Sequence, residues 1–191
     1  MEFFDYHNDL APKKGHLLIS EPYLGDPNFD RTIILLCEHG LEGSFGFVLN
    51  KPGETTVGEV MEELAKIKSP VFIGGPVQQD TLHYVHRLAD LPDAIPVADG
   101  IFWGGSFEQL MAWIDIGRVT ATDIRFFLGY SGWSPGQLDE EMVAKSWIVS
   151  NRVSEQVLFE TPSEAMWKEV LRQLGGRFRM YANYPVDPRL N

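Results

Sequence analysis

One cysteine, Cys37, stands in 191 residues, so no intrachain disulfide can form. Basic residues are also scarce: 16 Lys and Arg face 27 Asp and Glu, for a formal net charge of -11. Such a surface repels nucleic-acid phosphates and anionic lipids, which disfavours direct nucleic-acid binding and membrane association. No apolar run approaches the ~18–20 residues of a membrane span. The N-terminus lacks the basic-then-apolar order of a secretory signal, and a cytoplasmic location is expected. Neither a G-x-x-x-x-G-K-[ST] loop nor a G-x-G-x-x-G turn after a strand occurs, so no nucleotide cofactor is implied.

What is present points to a packed core. Hydrophobic residues make up 44% and aromatics 12% of the chain. The length fits a single domain over residues 1–191, able to bury roughly 70% of its unfolded surface. Residues 1–15 read as an N-terminal arm and 176–191 as an extended tail, too apolar to float free, packed on the body or on a second copy. Alternation and apolar runs predict strands at His16–Ser20, Thr32–Cys37, Phe45–Asn50, Val71–Gly74, Leu82–Val85, Gly100–Trp103, Ile124–Tyr130, Trp147–Ser150 and Val157–Phe159. The second is apolar on both faces, as a central, doubly covered strand requires.

Helix starts are marked by Ser or Thr three residues before Glu or Gln, the capping-box spacing: Thr56/Glu59, Ser106/Gln109, Ser134/Gln137 and Thr161/Glu164. Pro135 and Pro162 add a first-turn proline, and Gly117 and Gly175 supply stops. Helices follow at about 57–67, 107–116, 135–145 and 162–174. Strands outnumber helices and come partly in runs, which favours an α+β arrangement with a mixed sheet. Gly74-Gly75 and Gly104-Gly105 mark strand ends where backbones approach closely.

The densest specification lies at Gly129–Leu138, Gly-Tyr-Ser-Gly-Trp-Ser-Pro-Gly-Gln-Leu, which reads as a strand-to-helix corner. It resembles a G-x-S-x-G nucleophile elbow around Ser131, but the second glycine is displaced by one. Cys37-Glu38-His39 ends the central strand. Cys37 and His39 would share a face if the strand continues, which keeps a thiol–imidazole pair open beside the simpler reading of a buried thiol. His83 and His86 are spaced i, i+3, which diverges on a strand, and nothing nearby completes a zinc set. Asp26 to Arg31 is a turn in which Asp26 would bond backbone N–H groups and Arg31 would pair with it. Arg31 could alternatively meet an anion at a cleft rim. Arg172, Arg177, Arg179 and Arg189 make the C-terminal region locally basic, best read as a solvated face.

Several blocks together resemble the AlgH/YqgE family of bacterial proteins. They are Gly15-His16-Leu17-Leu18-Ile19-Ser20-Glu21-Pro22, Asp26-Pro27-Asn28-Phe29-Asp30-Arg31-Thr32, Leu36-Cys37-Glu38-His39 with Gly46 to Pro52, Gly74-Gly75-Pro76-Val77, and the Gly129 corner. The resemblance implies an α+β domain whose bifurcated sheet folds as a pseudo-barrel, with about four flanking helices. It brings a transcriptional-regulator label, drawn from a genetic link to alginate control in one member, and no established biochemical activity. The family commonly carries Ala where this chain has Ser131, which weakens the elbow.

No catalytic triad, metal set or phosphate cradle is complete, and no catalytic residue is assigned. The favoured expectation is a non-catalytic binding or regulatory protein, taking a protein or small-molecule ligand. Its surface would comprise Asp26, Arg31, Cys37, Glu38, His39, Asn50, Tyr130 and Trp133. The alternatives are a thiol-dependent enzyme or redox-sensitive protein using Cys37 and His39, and a direct DNA-binding regulator, which the charge disfavours. Self-association is left open.

Overall fold

In the computed structural model the described residues are 10–186. Ten strands form one branched, largely antiparallel sheet: β1 (Leu17–Ser20), β2 (Ile33–Gly40), β3 (Gly43–Val48), β4 (Pro52–Thr56), β5 (Pro70–Ile73), β6 (Val77–His86), β7 (Ile95–Ala98), β8 (Ile101–Trp103), β9 (Ile124–Trp133) and β10 (Trp147–Ser150). The helices are α1 (Val57–Val60), α2 (Phe107–Asp115), α3 (Gln137–Val143), α4 (Ser163–Leu174) and α5 (Phe178–Tyr181). A 3-10 turn spans Glu62–Leu64 and a π-helical turn Gln156–Glu160. The main path runs β10-β1-β2-β3-β9-β6-β8-β7, with β4 and β5 branching from β9. Strand β7 returns onto β2, and a Cβ on Gly15 would lie 2.4 Å from the Val97 carbonyl oxygen, so the sheet curls toward closure. The expected α+β fold with a bifurcated sheet is present.

The branch lies on β9. Its first half pairs antiparallel with β6 and parallel with β5, through Phe72–Phe127 and Ile73–Leu128. Past Gly129 (φ +68°) the side held by β5 passes to β3, with Ser131 opposite Gly46 and Trp133 opposite Ser44. The Gly74 N–H donates to Leu128 O, and the Gly74 carbonyl accepts from the Val48 N–H and the Ser131 hydroxyl. A Cβ on Gly74 would sit 2.4 Å from Gly129 O, and one on Gly75 2.2 Å from the Tyr130 carbonyl carbon. The fork therefore admits only glycine at these positions.

The expected corner at Gly129 is thus a bend inside a strand that continues to Trp133. Ser131 is fully buried with its hydroxyl committed to Gly74, which removes the elbow. The turn into α3 comes later, at Gly136 (φ +81°), so Pro135 precedes the helix instead of opening it. Of the Ser134/Gln137 box only the reverse half forms, the Gln137 amide oxygen accepting from the Ser134 N–H. The Thr56/Glu59 box forms in full, and the Ser106 hydroxyl accepts from the Gln109 N–H. Thr161 instead donates to Gln156 O, closing the π-helical turn, so Val157–Phe159 is not the expected strand. The first helix stops at Val60 because the chain doubles back at Met61. That brings Ala65 against Gly58, a fold a continuous 57–67 helix could not make.

Three clusters fill the interior. Leu17, Ile33, Leu35, Cys37 and Phe127 pack under Met166, Trp167, Val170 and Leu171 of α4. Ile34, Leu36, Val48 and Trp147 pack under Leu138 of α3. Tyr84, Ile124 and Phe126 pack under Leu110, Trp113 and Ile114 of α2. Strand β2 alternates between the first two, as a doubly covered strand must. The tail is not extended throughout: α5 buries Phe178 and Tyr181 against the first cluster. Residues 1–9 of the N-terminal arm and 187–191 of the tail, Arg189 included, lie outside the described residues.

Candidate functional site

The residues expected to form one surface divide among three places. The first is a structural lock. Asp26 Oδ1 accepts from the Asn28 N–H at 2.8 Å, the bond the turn requires. Arg31 does not pair with Asp26. Its φ of +50° carries the guanidinium the other way, over the Trp167 ring at 4.8 Å, where it donates to the Tyr184 and Pro185 carbonyls. Tyr23 stacks on Tyr184 and its hydroxyl also donates to Pro185 O. Arg31 therefore fastens the C-terminal segment and is not a free anion contact. Asn50 is structural as well: its amide donates to Arg31 O and accepts from the Ile33 N–H, tying the loop to β2.

Beside that lock lies a cleft of about 410 Å³ lined by Asn28, Asn50, Lys51 and Gln79. Its amine is occupied, since Lys51 Nζ donates to Pro27 O at 3.1 Å and Asn28 O at 2.6 Å. Burial pulls the Lys51 amine below its ordinary range, while Asp30 and Asp26 push the other way.

Cys37 stands alone in the second place. A bulge between Leu36 and Glu38 interrupts the β2–β3 register there, and the thiol is fully buried, its donor aimed at Leu35 O. Burial pushes it far above the ordinary thiol range, so it carries no thiolate at neutral pH. His39, half-buried, bonds Ser44 Oγ at 2.7 Å through Nδ1. The imidazole is held by a hydroxyl, and the thiol lies in the core cluster.

The third place is an open groove of about 700 Å³ over β3, β6, β8 and β9. Of the expected residues Glu38, Tyr130 and Trp133 line it; Phe45, His83 and Trp103 complete its wall. Phe45 meets Trp103 edge-on at 4.9 Å and Tyr130 at 6.0 Å, and His83 meets Tyr130 at 6.0 Å. Phe45, His83, Trp103 and Tyr130 are only half-buried. His83 bonds Thr81 Oγ1 at 3.1 Å, and desolvation lowers its pKa from the usual histidine value. Trp133 is pinned from behind: Glu141 Oε2 accepts from both the Trp133 and Trp147 indole N–H groups, at 2.9 and 2.7 Å. Gly43 (φ +114°) presses the β2–β3 hairpin onto this wall, where a Cβ would lie 2.5 Å from Trp133 O.

Phe45, His83 and Trp103 were not expected at a site. The signal available for Phe45 and Trp103 was strand alternation, which cannot tell a ring facing a groove from one facing a core. His86, paired with His83 in the metal reading, points away. It is buried, its Nδ1 accepts from the Leu88 N–H, and its Nε2–H donates to Gly104 O. No group of His, Cys, Asp and Glu able to hold a metal forms among the described residues, nor is any described helix long and apolar enough to cross a membrane.

Known proteins share this architecture. A family model described as AlgH-like matches residues 17–179. A UPF0301 protein of Cytophaga hutchinsonii is 47% identical over 180 residues, covering 93% of this chain and 98% of its own. One from Chlorobaculum tepidum is also 47% identical over 180 residues, covering 94% and 96%. The solution structure of the AlgH protein from Pseudomonas aeruginosa superposes with a TM-score of 0.71 at 27% identity, covering 92% of this chain and 97% of its own. The crystal structure of protein DIP2367 from Corynebacterium diphtheriae gives 0.79 at 23% identity, covering 95% and 100%, a likeness of fold. The match across nearly the whole sheet and its helices establishes that this chain belongs to the AlgH-like family.

Proposed function

We propose that this chain is a non-catalytic binding protein whose recognition surface is the aromatic groove over β3, β6, β8 and β9. The observation that carries the reading is four half-buried rings, Phe45, His83, Trp103 and Tyr130, left facing an open space of about 700 Å³. Aromatic area that a fold leaves unburied in one concave place is a resource for binding. The groove has the volume of a ligand site, yet its lining completes no catalytic triad among the described residues. Cys37 is sealed in the core, and Ser44 is bonded to His39 with no third group orienting the pair among the described residues.

Direct DNA binding draws little support from the surface. Arg87 is surrounded by Asp123, Glu155 and Glu160, Arg118 is paired with Asp90, and Arg31 is locked to the tail. These cations are committed internally, and the net charge is -11. A regulatory role, if the family label holds for this chain, would then act through a bound partner.

Affinity capture from native cytosol tests the reading. Wild-type protein is compared with Trp103→Ala/Tyr130→Ala and with a control, Glu62→Gln/Glu63→Gln, on the distant 3-10 turn. A partner retained by wild type and control and lost from the groove variant is expected. A partner list unchanged by the groove variant would remove the groove from consideration.

A further inference from the structure

The groove combines rings with charge of one sign, and this conjunction names a ligand chemistry. Glu38 and Glu42, both exposed on the β2–β3 hairpin, line it, and no Lys or Arg does. Neither carboxylate forms an ion pair among the described residues. His83 adds no cation at neutral pH, since burial lowers its pKa. Ring faces carry negative quadrupole density, and rings set at steep angles to one another, 65° for Phe45–Trp103 and 86° for His83–Tyr130, offer faces and edges around a single space. A carboxylate rim on an aromatic wall complements a cation with an apolar stem.

Resting on the reading of the groove as the recognition surface, we propose that it receives a Lys or Arg side chain presented by a basic peptide segment of a partner protein. Two features favour a peptide over a free organic cation. A volume of about 700 Å³ is far more than one ammonium or guanidinium group fills, so neighbouring residues must enter with it. Leu41, next to Glu42 at the hairpin tip, is 94% exposed, an apolar contact available to a longer ligand. The net charge of -11 draws a basic segment toward the surface before contact.

The test uses full-length protein and acetylated pentapeptide pools, random except for a fixed central Lys, Arg, norleucine or Glu, with tetramethylammonium as a fifth probe. Amide and indole shifts are followed by NMR. Saturable shifts at Phe45, His83, Trp103 and Tyr130 are expected with the Lys or Arg pool and not with Glu. Affinity should fall about fivefold in Glu38→Gln/Glu42→Gln, whose exposed positions leave the fold intact. Equal affinity for the norleucine pool would overturn the cation while keeping the groove as a binding surface. Tetramethylammonium binding as tightly as the Lys pool would overturn the peptide. Absence of groove shifts with every pool would overturn both this proposal and the reading beneath it.

Discussion

Cys37 and Glu141 show how much one side chain decides. A thiol at the bulge of β2 looks reactive by its neighbours Glu38 and His39, yet burial dominates and holds it protonated. The folded protein should resist a disulfide reagent such as DTNB, and one thiol should titrate only on unfolding; rapid native labelling would reopen the thiol chemistry. Glu141 terminates two indole N–H groups whose rings are nearly buried. Glu141→Ala leaves both donors without this acceptor and should cost about 1–3 kcal/mol by urea denaturation. It should also loosen Trp133, seen as a red-shifted tryptophan emission. Of these two, the sequence exposed only Cys37. Glu141 sits in a helix rich in acids, and nothing in its spacing distinguishes it from Asp139 or Glu140.

At the scale of elements, the fork on β9 sets the shape of the sheet and of the groove beside it. Gly74→Ala drives a Cβ to within 2.4 Å of Gly129 O, a backbone atom that cannot swing aside, so the fork must open. It should destabilise by about 3 kcal/mol or prevent folding. Gly136→Ala, with open space around it and only a left-handed φ to strain, should cost about 1 kcal/mol. Thermal midpoints rank the two, and equal losses would mean the fork does not depend on close approach. Strand positions were legible because β1, β2, β9 and β10 carry dense apolar runs. The capping spacing placed the starts of α1 and α2, capped by Thr56 and Ser106, and misled at α3 and α4. A box needs a hydroxyl at the cap, and Gly136 and Pro162, which carry none, took that position. Strands β4 and β7 escaped notice because their residues are largely exposed and Pro-containing, with no apolar alternation to announce them. The groove itself was half legible. Tyr130 and Trp133 stood out in a glycine-rich segment, whereas Phe45, His83 and Trp103 reach it only through the β3–β9–β6–β8 order, a long-range pairing that local pattern does not contain.

Across the whole molecule, acid should act first through histidine. His16, His83 and His86 are all held below the ordinary value of 6.5, each chiefly by burial. Protonating His86 also removes the acceptor for the Leu88 N–H. A histidine whose folded pKa is depressed binds protons more readily unfolded, so its stabilisation is complete above the unfolded value and is lost as pH falls through it. The urea midpoint should therefore drop between pH 7 and pH 5, before the carboxylates titrate, and His86→Gln should flatten that slope. A midpoint that is level or rises toward pH 5 would contradict the buried, neutral assignment.

A chemical-shift map of the isotopically labelled protein with its captured partner or the Lys pool decides whether this family member binds through its aromatic groove. Perturbations should centre on Ser44–Phe45, His83, Trp103 and Tyr130–Trp133. Perturbations centred instead on the Asn28–Lys51 cleft, or on the segment that Arg31 fastens, would place recognition away from the groove.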